Sequence, residues 1–199
     1  MVVSNVNGTA SARITFGNYG AGNLPIIDGG GTLSSGVISG GRDWCIGGNN
    51  SKISYITIDG FECRYAHYYG IAFFDVYGGS AGIIVQNSYL HDTGPGDTGY
   101  YNQLMYADYG RNADGTKFLN NKVGNCYGHN CVQIHGDLGS PLIQGNEVWG
   151  GWHGHIDVKD VVGARIDSNI VHDGQSINPD IAAFYIESNI TNSDVTWTR

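Results

Sequence analysis

Two short stretches, CVQIHGD (residues 131–137) and HIDVKD (155–160), put groups that exchange protons near neutral pH on matching positions. Apolar and polar residues alternate in both. With Val132, Ile134, Ile156 and Val158 turned inward, Gln133 and His135 in one and His155, Asp157 and Lys159 in the other face outward. An offset of 24 residues lays Gln133 on Asp157 and His135 on Lys159; as neighbouring strands they would lie ~4.8 Å apart. A third stretch, with Ala182, Phe184 and Ile186 inward, adds Tyr185 and Glu187. Such a cluster suits general acid–base chemistry, with Lys159 or His135 as base and Asp157 and His155 beside them. The same residues also read as cross-strand ion pairs on a solvated face, worth ~0 to 1 kcal/mol each.

The elements that would hold this cluster are repeats. Asn87, Asn121, Asn146 and Asn169 recur in alternating apolar runs (IIVQNSYL, KFLNNKV, LIQGNEV, ARIDSNIV), at intervals of 34, 25 and 23 residues, and Gly60 of ITIDGF stands 27 residues before Asn87. Period-two alternation means strand, and a repeat of this length means stacking of units that cannot bury their own apolar face. Buried asparagines at such turns would bond the backbone and one another, forming an asparagine ladder. The expected fold is all-β, a stack of strand-bearing coils spanning residues 1–199 as one domain.

With that pattern the chain resembles the right-handed parallel β-helix (pectate-lyase-like) superfamily, from ARITFGNYGAGNLPIIDGG to SNIVHDG; Tyr19, Gly20, Gly22, Pro25, Ile26 and Ile27 are similar to the entry coil of its carbohydrate-active members. The resemblance implies a single-stranded right-handed parallel β-helix (β-solenoid), a polysaccharide partner, an extracellular or cell-surface location, and lyase chemistry. Lys159 or His135 would remove a proton next to a uronate carboxylate, and Asp137, Asp157 or Asp160 would hold a calcium ion that neutralises it. Two alternatives stand beside it: glycoside hydrolysis by Asp157 with Glu187 or Asp137, and a non-catalytic glycan-binding or structural, adhesive module.

Composition agrees with stacked strands and tight turns: 32 glycines, four prolines and 14% charged residues. A net charge of −8 with ten Lys plus Arg excludes the clustered cations that nucleic acid needs. No apolar run reaches the ~20 residues of a membrane span, and MVVSNVNGTA does not read as an export signal. Nothing before Ala12 looks like a covering helix and SDVTWTR reads as a continuing strand, so the chain reads as a fragment, its ends covered by an adjoining domain or by self-association.

Cys126 and Cys131 stand close enough for a local disulfide, against a zinc site with His129 and His135 or buried free thiols; Cys45 and Cys63 fall at different phases and need not meet. For substrate contact the candidates are Tyr100, Tyr101, Tyr106 and Tyr109, in a long glycine-rich loop between Asn87 and Asn121, and Trp149, Trp152 and His153, in the turn before HIDVKD, with Gln133 and Tyr185. His91 and His172 recur as His-Asp pairs and so read as turn braces.

Overall fold

The computed structural model describes residues 1–48, 52–74, 81–95, 105–108, 115–174, 182–187 and 195–198, with the backbone alone for 105–108 and 197. It is an all-β parallel solenoid, with no helix among the described residues. Three parallel sheets run along it. The first stacks seven strands: Ile14–Gly17, Ile56–Asp59, Ile84–Gln86, Lys117–Leu119, Leu142–Gln144, Arg165–Asp167 and Thr196–Thr198. The second stacks six: Ile26–Asp28, Glu62–Arg64, Tyr89–Thr93, Lys122–Cys126, Glu147–Gly151 and Ile170–His172. The third stacks Trp44–Gly48, Tyr69–Phe74, Met105–Asp108, Asn130–His135, Gly154–Lys159 and Ala182–Glu187. The two remaining strands, Thr32–Ser34 and Val37–Ser39, form an antiparallel hairpin.

Each sheet turns one column of apolar side chains into the core. In the first sheet Ile58, Val85, Phe118, Ile143 and Ile166 stand in register, in the second Cys63, Leu90, Val123 and Val148, and all are buried. A strand of three to six residues cannot cover its own apolar side, so the coils depend on their neighbours for burial. Met105–Asp108 lies within the stretch that the sequence presents as a loop. Each coil needs a third-sheet strand, and MYAD supplies it between Tyr69–Phe74 and Asn130–His135.

The asparagines are arranged differently from expectation. Asn87 sits at left-handed φ 52 and donates from Nδ2 to Asp59, at the turn position that Gly60, Asn120, Gly145 and Ser168 take in other coils. The column that bonds from coil to coil lies one residue later. The Ser88 amide donates to Asn121 Oδ1 (3.0 Å), that of Asn121 to Asn146 Oδ1 (2.9 Å), and that of Asn146 to Asn169 Oδ1 (2.9 Å). A ladder through all four expected residues is therefore not present. Turn and column positions adjoin, and asparagine suits both, one for its tolerance of positive φ and the other for its paired donor and acceptor.

Both cysteine pairs are disulfides at the corner between the second and third sheets. Cys126–Cys131 is the local bridge, one of the alternatives the sequence leaves open; Cys45–Cys63, which need not have met, joins successive coils with Cα atoms 6.0 Å apart. No helix among the described residues is long and apolar enough to cross a membrane.

Candidate functional site

The outer face of the third sheet gathers the proton-exchanging side chains. The register matches the 24-residue offset: Gln133 pairs with Asp157 and Asp157 with Tyr185, while His135 pairs with Lys159 and Lys159 with Glu187. Ile186 has the inward register over Val158, yet it is exposed.

Asp157 is the centre of the cluster, with no solvent exposure. Its Oδ2 accepts hydrogen bonds from Asn130 Nδ2 (3.0 Å) and Gln133 Nε2, while Oδ1 is buried without a partner. Burial first, then the negative charge of Glu187, pushes its pKa up to about 7, against the opposing pull of Gln133 and Lys159. Lys159 Nζ lies 3.0 Å from Glu187 Oε2, and that bond raises its pKa, so Lys159 is an ammonium at neutral pH. His135 faces Asp160 across 3.4 Å from Nε2, and burial lowers its pKa, leaving the ring neutral.

A column of rings stands beside the carboxyl. His129 stacks on His153 (centroids 4.3 Å apart, planes at 17°) and His153 on Tyr185 (4.8 Å, 6°). Asn130 ties them to Asp157: Nδ2 also donates to His129 Nδ1 (2.9 Å), and Oδ1 lies 3.4 Å from His153 Nδ1, which donates in the tautomer this assignment requires. Burial, then His153, lowers the pKa of His129 to about 4.

Several sequence candidates lie elsewhere. Strict alternation would turn His155 outward, but the strand breaks it. Gly154 faces Asn130 and Tyr185, and a Cβ there would come 2.4 Å from Asn130 Oδ1. His155 is then level with Cys131 of the core, almost fully buried, with Nδ1 3.5 Å from the Ala182 carbonyl and Nε2 unpartnered. Trp149, Trp152 and His153 do not form one wall. Trp149 lies on the second sheet and Trp152 packs in a buried cluster with Ile38 and Tyr127, leaving His153 on the third-sheet face. Tyr100, Tyr101 and Tyr109 lie outside the described residues; the backbone of Tyr106 pairs with Ala72 and Gln133.

The proposed calcium ligands do not converge. Asp137 accepts the Thr116 amide on Oδ2 (2.7 Å) and the Gly139 amide on Oδ1 (2.8 Å), a turn brace with both oxygens engaged. Asp160 faces His135, and Oδ2 of Asp157 already takes two donors. Among the described residues no group of three or more His, Cys, Asp or Glu side chains is placed to hold a metal ion.

No known family model matches this chain. The curated proteins and the solved structures likewise yield no match. The structure supports a parallel β-solenoid, and the resemblance to pectate-lyase-like proteins rests on sequence pattern alone.

Sequence reasoning considered His129 only as a zinc ligand and passed over Asn130. The offset that aligned the strands also aligns His129 with His153 and Asn130 with Gly154, and a glycine across from an asparagine leaves room for its side chain.

Proposed function

We propose that this solenoid domain acts on polysaccharide along the outer face of its third sheet, by β-elimination on a uronate-containing glycan with Asp157 as the proton-transfer group. Asp157 itself carries this reading: it is a buried carboxyl with one unpartnered oxygen and a pKa of about 7, two residues from a protonated lysine. Elimination needs a base for the proton beside the sugar carboxylate and a positive charge to hold the negative charge that develops there. At neutral pH about half of such a carboxyl is ionised, and it is a stronger base than an ordinary aspartate. Lys159, kept charged by Glu187, fits the neutralising role better than that of base. His135, neutral and on the next rung, is the alternative acceptor. No step passes through calcium. Asp157 is fully covered, so a substrate reaches it only as the side chains above it part.

Glycoside hydrolysis is the second reading. The charge of Glu187 helps keep Asp157 protonated, as a general acid beside an ionised carboxylate would be. Against it, Glu187 is already held by Lys159. Two disulfides and no free cysteine support maturation in an oxidising compartment and hence an extracellular location.

The test is incubation with acidic and neutral polysaccharides, with and without calcium, following ultraviolet absorbance of unsaturated uronate together with reducing ends. Both signals together are expected. Reducing ends alone would favour hydrolysis, and binding without either signal would favour a glycan-binding module.

A further inference from the structure

We propose that Glu187 occupies, on Lys159, the place of the substrate's carboxylate, so that a uronate must displace it to bind. This inference rests on the elimination reading above and names a specificity-determining residue within it.

The charges on the three strands frame the argument. Asn130–His135, Gly154–Lys159 and Ala182–Glu187 contain one Lys or Arg, Lys159, and its ammonium is 3.0 Å from the Glu187 carboxylate. The chain carries a net charge of −8, and Asp157, Asp160 and Glu187 all lie on or beside this face. Among the described residues of these strands, Lys159 is the cation an anionic sugar could reach, and its charge is already answered by Glu187. The position also suits the reaction. Residues 157 and 159 face the same way on one strand, about 7 Å apart along it, so a carboxylate held by Lys159 would bring its neighbouring carbon toward Asp157.

Glu187 is placed to give way. Its strand pairs with Gly154–Lys159 and is more exposed than that buried neighbour. The glutamate side chain is 37% exposed and the lysine 22%, so the pair sits at the rim. Pairs this open are weak, and an incoming carboxylate replaces one anion with another at little cost. The charge of Glu187 also acts on Asp157, so its departure would ease ionisation of the base as the substrate arrives. The pair would thus weaken binding of uronates without excluding them.

The experiment titrates the whole chain, its Glu187→Gln variant and its Lys159→Met variant with trigalacturonate and with the uncharged methyl ester of that trisaccharide, by calorimetry. Glu187→Gln should bind trigalacturonate about fivefold tighter than the parent, with the ester unchanged, and Lys159→Met should lose the preference for the acid. Circular dichroism of each variant verifies its fold; should Glu187→Gln not fold, Glu187→Ala takes its place. The proposal is overturned if removing the Glu187 charge gives no gain, if acid and ester gain equally, or if the acid does not bind at all. Product formation is scored separately. Unsaturated product from the parent with no affinity gain in the variant sinks this inference and keeps the elimination reading; an affinity gain with no product from any protein does the reverse.

Discussion

The outer faces of the second and third sheets are built from the same materials and put them to different use. On the second, Tyr89 stacks on His91 (4.2 Å) and lies near Trp149 (6.1 Å), which stacks on His172 (5.9 Å). Each histidine is held at both nitrogens by carboxylates: His91 by Asp92 (2.6 Å) and Glu62 (3.4 Å), His172 by Asp173 (2.8 Å) and Glu147 (3.4 Å). Asp92 and Asp173 occupy left-handed turns, so these pairs brace the coil, as their recurrence in the sequence implied. Acids and bases there stabilise each other's charge, and His172 is raised and Asp92 lowered accordingly. On the third sheet, burial outweighs pairing. Asp157 rises toward neutrality and keeps an oxygen without a partner. A repeating fold thus satisfies its polar groups where neighbouring coils match, and leaves a carboxyl with an unpartnered oxygen where the preceding coil answers it with amides rather than a cation.

The largest effect that would sharpen this contrast is on turnover. Asp157→Asn preserves an acceptor for Asn130 and Gln133, so the fold should persist while elimination falls by about a hundredfold or more. His172→Gln on the other face should leave turnover unchanged. Comparable losses in both would erase the distinction between the faces.

Stability should follow pH in a way that isolates the same carboxyl. Folded Asp157 keeps its proton to about pH 7, whereas the unfolded group releases it near 3.8, so the folded state binds the extra proton and stability falls as pH rises through that window. The total is up to roughly 4 kcal/mol. His129 works in the opposite direction between about 4 and 6.5, since its folded form stays neutral. Urea midpoints of the parent minus those of Asp157→Asn, measured from pH 4 to pH 8, should therefore fall steadily; a flat difference would mean that Asp157 titrates normally.

Packing on the second sheet gives a smaller effect. A Cβ on Gly124 would come 2.1 Å from Trp149 Cε2, so Gly124→Ala should displace the indole and cost about 1 to 3 kcal/mol by thermal unfolding with turnover unaffected. The smallest effect is that of His172→Gln on stability. The raised pKa means its stabilisation is present at pH 5 and lost as pH rises through that pKa, so the variant should be weaker than the parent at pH 5 and nearly equal at pH 8.

Much of this was legible before the structure, for identifiable reasons. Period-two alternation and one offset were enough to set Gln133 on Asp157 and His135 on Lys159, because side-chain direction and coil length leave a single register. The same logic failed where a coil turns a corner. His155 and Cys131 follow outward residues at the bend between sheets, where two successive side chains point inward, and simple alternation misplaces them. Asn87 was misaligned by one residue because its turn position prefers the same amino acid as the position after it. The Asp157 carboxyl was visible as a residue but not as a perturbed one, since its burial depends on side chains from several coils at once.

The most direct measurement is the titration of Asp157 itself, by carbon NMR of its labelled side-chain carboxyl in the intact domain. A midpoint near 7 is expected; a midpoint in the ordinary aspartate range near 4 would contradict the account, leaving the third-sheet face as inert a brace as the second.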